Sequence, residues 1–365
     1  MTDLFDPLTL RGLTLRNRIG ISPMCQYVAR DGFASDWHLV HLASRAVGGA
    51  GLVIAEASGV EARGRISPGC LGIWKDDHIE KLSQITAAIR ANGAASCMQI
   101  AHAGRKANAT VPWEGDRTLT PEEGAWQTVS SVARSFDAPG GALVHTPTAL
   151  DEAGIAQVIA AFADAARRSV DAGFDMVEIH AAHGYLAHQF MSPLVNDRRD
   201  RWGGDFMGRS RFPMEIVRAC RAVMPDAMPL AVRISSVDWA PGGWSLEDSI
   251  VLAEMMKKEG VDLIDCSSGY AVPVEDIPYG PGYQVPFAHR IRTQAGIATA
   301  AVGQIATAAQ ANAIITKGEA DLALLATASL HDAYWPLHAA TELGRLKALP
   351  MPPSYDYVVR GGMSD

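Results

Sequence analysis

The chain alternates short apolar runs with longer stretches in which apolar residues recur every three or four positions. The short runs are Ile19–Met24, Leu52–Ala57, Ser96–Ala101, Met176–His180, Leu230–Ser235, Leu263–Ser267, Thr299–Val302 and Leu322–Ala326. Most are continuously apolar instead of alternating, the pattern of parallel strands buried on both faces. A helical stretch follows each. After Ser245, Leu246, Ile250, Ala253 and Met256 share one helix face, Asp248 is placed to complete a capping box, and Gly260 ends the run. Eight strand-then-helix units in unbroken succession predict an α/β fold of the (β/α)8 TIM-barrel class. A doubly wound open sheet is the structural alternative, but eight units match closure.

Two additions interrupt the pattern. Residues 7–15, PLTLRGLTL, alternate leucines around Arg11-Gly12 and predict an N-terminal β-hairpin that plugs the bottom of the barrel. Residues 104–150 form a long insertion after strand three, rich in Gly, Pro, Thr and Trp, a length that points to a functional lid. No linker or low-complexity tract divides the chain, so residues 1–365 read as a single domain.

Composition narrows the class. Of 365 residues 48% are hydrophobic and 20% charged, a globular balance, and the net charge of −8 argues against a nucleic-acid partner. No apolar run reaches membrane-spanning length, and the acidic start MTDLFD has no apolar signal core, so a cytoplasmic protein is expected. Cys25, Cys70, Cys97, Cys220 and Cys266 are odd in number and form no C-x-x-C pair. That suits a reducing compartment and offers no zinc or iron–sulfur ligand set.

In a barrel of this class the chemistry lies at the C-terminal ends of the strands. Those ends supply Ser22-Pro23-Met24-Cys25-Gln26-Tyr27, Glu56-Ala57, Gln99 with His102, then His180, His183 and Tyr185, then Arg233, and positions near Gly303 and Ala326. The stretch EIHAAHGYL, residues 178–186, is the most pointed: two histidines three apart, then a tyrosine. A metal site would want three or four ligands, and only His102 is available as a third histidine. Two imidazole N–H groups aimed at one point would instead hold a carbonyl oxygen and stabilise an enolate, with the Tyr185 phenol as proton donor. Glu178 alternates onto the side of His180 and is expected to orient its neighbours. Gln99 and Arg233 would suit a flat heterocycle: an amide for a pyrimidine edge and a cation beside a ring nitrogen that becomes anionic on reduction, the demands of a flavin.

These residues sit in segments that resemble the old yellow enzyme family, the FMN-dependent ene-reductases, and most closely its bacterial thermophilic-like and xenobiotic-reductase branch. The matching segments are LFDPLTLRGLTLRNRI, SPMCQY, DWHLVHLASRAVGGAGLVIAEA, QIAHAGRKA, DAGFDMVEIHAAHGYLAHQFMSP, NDRRDRWGGDFMGRSRF and VRISSVDW, in family order along nearly the whole chain. The resemblance implies that Ser22, Pro23, Met24, Cys25, Ala57, Gln99 and Arg233 contact FMN, with Cys25 beside the flavin tuning its potential. Gly303, Ala326 and Thr327 fall at the phosphate end. It implies that His180 and His183 hold the substrate oxygen, that Tyr27 contacts substrate and that Tyr185 supplies a proton. NADPH, or NADH in its place, is the implied reductant, and small activated alkenes are the implied substrates. Arg360 in YDYVVRGG matches an arginine that reaches a neighbouring subunit's site, which implies a homodimer or homotetramer.

The chain also departs from the family. Ala326-Thr327 stands where the family carries Gly-Arg, whose arginine binds the FMN phosphate. Loss of such a charge-assisted bond, roughly 1.5–3 kcal/mol, would weaken phosphate binding about ten- to a hundred-fold. Trp202, Asp205 and Gly208 replace Tyr, Ser and Asn in a further family pattern, at positions read as peripheral to the chemistry. Two rival readings stand beside the ene-reductase: a metal-dependent barrel hydrolase or lyase using His180, His183 and His102, and a non-catalytic flavin- or ligand-binding barrel. A relative that also carries an iron–sulfur cluster would need a C-terminal cysteine group, and the last cysteine here is Cys266.

Overall fold

Strands Ile19–Ile21, Leu52–Gly59, Ala95–Ala101, Met176–Ala181, Leu230–Ser235, Leu263–Ser267, Ala298–Ala301 and Leu322–Leu325 pair in chain order, all parallel, and the last closes on the first. The structure is a computed structural model that describes residues 2–137 and 145–360. It is the (β/α)8 barrel that the apolar runs predict. The strand ends differ where local chemistry intervenes. Strand one stops at Ile21: Ser22 N–H still reaches Leu325 O (2.9 Å), but Pro23 has no N–H to continue the ladder. Strand two runs on to Gly59 across a register shift between Ala55 and Ser58.

The outer helices form as their patterns require. Helix Glu152–Asp171 buries Ile155, Val158, Phe162, Ala165 and Ala166 along one stripe, and Asp151 caps it by accepting from Gly154 N–H (2.7 Å). Helix Leu246–Lys258 carries the expected capping box between Ser245 and Asp248. Asp205 caps helix Phe206–Val223 through Gly208 N–H (2.8 Å), and Trp202 is buried with its indole N–H on Glu152. Two of the three departures from the family pattern thus do structural work away from the barrel mouth.

The two-residue period of a strand decides what fills the barrel. At the bottom Leu52, Ile54, Cys97, Met176, Ala231, Leu263, Ala300, Leu322 and Leu324 form one buried cluster. The hairpin Leu8–Leu10 and Leu13–Leu15 closes it, with Leu8, Leu10 and Leu15 buried in the same cluster. Each such leucine contributes roughly 2 kcal/mol of burial, and the plug is where the leucine alternation places it. The insertion after strand three has its own short strands, Val129–Ser130 and Thr148–Ala149, paired in parallel; its residues 138–144 lie outside the described residues. Among the described residues no helix is long and apolar enough to cross a membrane.

Candidate active site at the barrel mouth

Two residues above the apolar floor, the same strands turn polar. Glu178 follows Met176, Arg233 follows Ala231, Asp265 follows Leu263 and Gln99 follows Cys97, all buried. Gln99 Nε2 donates to Glu178 Oε1 (2.8 Å), Arg233 Nε lies 3.1 Å from Asp265 Oδ2, and an Arg233 Nη1–H reaches Ser22 Oγ (3.3 Å). Burial, reinforced by the neighbouring Asp265, pushes the Glu178 carboxyl up to about 8; burial also raises Asp265, to about 6, against the pull of Arg233. Glu178 is therefore largely protonated at neutral pH. With the Gln99 amide N–H spent on Glu178, its carbonyl oxygen is left to accept from a ligand. That orienting role is the one the alternation suggests for Glu178.

Two residues higher again, His180 and the loop after it form the mouth. Ala182 N–H donates to His180 Nδ1 (3.2 Å), which puts the ring proton of a neutral His180 on Nε2; that nitrogen faces His183 Nδ1 at 3.2 Å. Burial, and then the Arg233 charge, holds both imidazoles well below their usual range, so both are neutral at pH 7. The Tyr185 ring stands edge-on to His180, centroids 5.0 Å apart, and burial raises its phenol well above the ordinary tyrosine value. It stays protonated. His183 occupies the left-handed region (φ 58°), a strained conformation for a non-glycine residue. Several contacts hold it there. Its N–H donates to Ser235 Oγ (2.9 Å), and Gly184 N–H donates to His188 Nδ1 (2.9 Å) while His188 Nε2 binds Asp238 (2.8 Å). Gly184 admits no side chain, because a Cβ would lie 1.9 Å from Tyr270 O.

The insertion is tied to this loop. Gln189 accepts from Ser130 Oγ (2.9 Å) and donates to Gly184 O (2.7 Å), and Ser131 Oγ donates to Gln189 O (2.8 Å). Lys106, at the start of the insertion, donates to His183 O (2.8 Å) and lies over the rings of Phe136, Tyr185 and Tyr270 at 4.6, 5.3 and 5.7 Å. Burial and then Arg105 draw its ammonium down to about 8. Nothing in the spacing of AHAGRKA marks Lys106 as part of the mouth.

The loop after strand one faces the same space. Glu56 fixes it by accepting from Gln26 N–H (2.6 Å) and binding His38 Nε2 (2.9 Å). Tyr27 sits at φ 57° with its ring against Trp113. Cys25 is largely buried and its thiol meets Cys70, which first, with burial second, raises Cys25 well above the usual thiol range. Cys70 is a partner that sequence spacing does not reveal. On the far side, a cavity of about 770 Å³ is lined by Gly303, Ala326 and Thr327 together with Gln304, Gln310 and His331. Among the described residues neither arginine nor lysine lines it. Arg360 is not at this chain's own mouth: it donates to Leu349 O (2.9 Å) and pairs with Asp356 (2.6 Å). His102 pairs with Glu61 (3.2 Å), and among the described residues no group of three or more His, Cys, Asp or Glu side chains is arranged to hold a metal ion.

These residues suit a flavin. The Gln99 carbonyl is free to accept, the Arg233 cation is backed by one carboxylate, and the cavity beyond strands seven and eight is where barrels of this class seat a cofactor phosphate.

Comparison with known proteins agrees. The chain is 45% identical over 345 residues to an NADPH dehydrogenase of Geobacillus sp. (strain WCH70), covering 94% of this chain and 95% of the relative. The structure of morphinone reductase in complex with tetrahydroNAD superposes with a TM-score of 0.78 at 26% identity, covering 97% of this chain and 94% of that one. A 2-naphthoyl-CoA reductase in complex with 2-naphthoyl-CoA superposes with a TM-score of 0.83 at 25% identity over 94% of this chain; this chain spans only about half of that protein, 52%. The model of the NADH:flavin oxidoreductase / NADH oxidase family matches residues 3–345. The chain therefore belongs to that family: it is an NAD(P)H:flavin oxidoreductase of the old yellow enzyme type, with FMN as its flavin and a nicotinamide as reductant.

Proposed function

We propose that the protein is an ene-reductase, reducing the C=C bond of α,β-unsaturated aldehydes, ketones, imides and nitroalkenes. The observation that carries this reading is the mouth itself: His180 Nε2 and His183 Nδ1 flank one point, and a protonated tyrosine stands beside it. Ser22, Pro23, Met24, Cys25, Ala57, Gln99 and Arg233 would hold the isoalloxazine, and Gly303, Ala326 and Thr327 the phosphate end. When bound and reduced by NADPH or NADH, FMN would supply the hydride for the β-carbon. The two imidazoles donate to the substrate's oxygen and stabilise negative charge there, in a buried site where such donors count most. The Tyr185 phenol gives its proton to the α-carbon, and Tyr27 contacts the substrate. Two solved neighbours are named for reduction of a morphinone and of 2-naphthoyl-CoA, which is in keeping with this class. The same reading makes the protein a cytoplasmic homodimer or homotetramer in which Arg360 of one copy reaches the mouth of another; the helix before it, Pro353–Val359, leaves Tyr357 and Val358 exposed.

Anaerobic half-reactions test the proposal. NADPH should bleach the flavin absorbance, and 2-cyclohexenone should restore it. A reduced protein that no enone, maleimide or nitroalkene reoxidises would overturn the reading.

A further inference from the structure

The imidazole pair poses a problem of proton placement. With Ala182 N–H on His180 Nδ1, His180 offers Nε2–H (3.2 Å). In this arrangement that proton goes to His183 Nδ1, also 3.2 Å away. His183 must then carry its own proton on Nε2, which points to Ser267 Oγ at 2.6 Å. Ser267 in turn donates to Gln284 Oε1 (3.3 Å). All the donors run one way, and in this state His183 presents a lone pair to the mouth, not an N–H. A substrate oxygen placed between the two rings would meet one donor and one repelling lone pair. Both rings are neutral, so His183 cannot escape the conflict by carrying two protons.

We infer that Ser267 is a positioning residue: when an acceptor oxygen enters, its hydroxyl turns from Gln284 to His183 Nε2, and the ring proton of His183 then resides on Nδ1, facing the substrate. The ring releases its Nε2 proton to water and takes one at Nδ1 from water that enters the mouth with the ligand, so its total charge does not change. The surroundings are built for the turn. A serine hydroxyl can donate or accept at the same distance. When Ser267 leaves Gln284, Oε1 is not orphaned, because Ser268 Oγ also donates to it (2.7 Å). Gln284 is fixed independently through its Nε2–H to Val302 O (3.1 Å) and is buried. Packing around it is tight: a Cβ on Gly303 would lie 2.7 Å from Gln284 Nε2. Ser267 itself is nearly inaccessible, which leaves the hydroxyl few partners besides His183 and Gln284. Hydrogen-bonded to each other the two rings are self-satisfied, and with an acceptor oxygen between them the pair becomes a double donor once the Ser267 hydroxyl turns.

This inference rests on the imidazole pair being the oxygen site, and the test separates the two. The probe is 4-methylphenol, titrated into FMN-loaded protein and followed by flavin absorbance. Ser267→Ala should weaken its binding by about ten-fold or more, the value of one hydrogen bond to a charged or strongly polar oxygen. Ser267→Thr, which keeps the hydroxyl, should bind within about three-fold of the parent, since only a methyl is added. In wild-type protein labelled with 15N-histidine, the His183 ring should change from Nε2–H to Nδ1–H on adding the phenol. Unchanged phenol affinity in Ser267→Ala, or a His183 ring that stays Nε2–H in the complex, overturns the inference. If Ser267→Ala fails to fold, the NMR result on the parent protein decides. His183→Ala distinguishes the levels: if it loses phenol binding while Ser267→Ala does not, only the role of Ser267 falls, and if His183→Ala itself binds normally, the oxygen site and this inference fall together.

Discussion

The floor and the mouth of the barrel are made by the same strands, two or four residues apart. Strand four contributes Met176 to the floor, Glu178 to the middle and His180 to the mouth; strand six contributes Leu263, Asp265 and Ser267 in the same order. The floor satisfies itself: apolar side chains meet the leucines of the hairpin and leave nothing to bind. The upper layers do the opposite. Glu178 Oε2 and Asp265 Oδ1 are buried without a hydrogen-bond partner, and His183 and Tyr27 sit at strained positive φ. Buried polar groups left unsatisfied cost stability, so the top of the barrel is a place where the fold gives up stability to keep groups available. Burial at the floor and readiness at the mouth are separable properties, and substitutions should separate them.

The largest effect is expected at the mouth. Tyr185→Phe should slow alkene reduction about 10²- to 10⁴-fold, the usual worth of a positioned general acid, while NADPH still reduces the flavin at close to the parent rate. Stopped-flow measurement of the two half-reactions checks this; equal slowing of both would remove the proton-donor role. The mirror image lies at the floor. Met176→Ala should cost about 2–5 kcal/mol of stability, because the packed cluster beneath the barrel cannot collapse onto the gap. Its FMN affinity should match the parent's. Denaturant melts and flavin titrations read the two quantities, and a floor substitution that released FMN from a fully folded protein would break the comparison.

The floor was the more legible region in the sequence. Continuous apolar runs and the leucine alternation of residues 7–15 are consequences of burial on both faces and of strand period, so they survive translation into three dimensions. The mouth was legible only where a reactive residue type coincided with a strand end, as for Gln99, Arg233, His180 and Tyr185. Cys70 reaches Cys25 only because the loop after strand two folds back onto the loop after strand one, where Ala29 N–H binds Gly69 O, and Lys106 reaches Tyr185 only because the insertion folds back on Gln189. Ser267 and Gln284 are ordinary polar residues whose roles come from direction of donation, which no spacing encodes. Strand one stops at Ile21, short of the apolar run to Met24, because the run reflects burial and not the missing N–H of Pro23.

A smaller effect tests the middle layer. Glu178 has a folded-state value of about 8, above its ordinary 4.5, so the folded chain keeps a proton that the unfolded chain loses first. Stability of the flavin-free protein should therefore fall as pH rises from about 4.5 to about 8, with Asp265 adding to the fall between its ordinary 3.8 and about 6. Glu178→Gln keeps an acceptor for Gln99 and cannot titrate, so it should flatten the upper part of that decline. Melting temperature against pH for the two proteins is the measurement, and parallel curves would mean that Glu178 is already ionised in the fold.

The smallest effect lies outside both regions. Asp205 stands where the family carries a serine, and its carboxylate caps helix Phe206–Val223 through Gly208 N–H. A carboxylate at a helix N-terminus gains from the helix dipole as well as from the bond. Asp205→Ser should cost only a few tenths of a kcal/mol, since serine caps nearly as well, and Asp205→Ala about 1 kcal/mol. Neither should alter FMN affinity or either half-reaction, because the capped helix packs on the outside of the barrel, against helix Glu152–Asp171. A change in the alkene half-reaction without loss of stability would show that this helix end acts on the mouth, through Asn196 and the chain that joins Met191 to Trp202, and the division between a stabilising exterior and a reactive top would have to be redrawn.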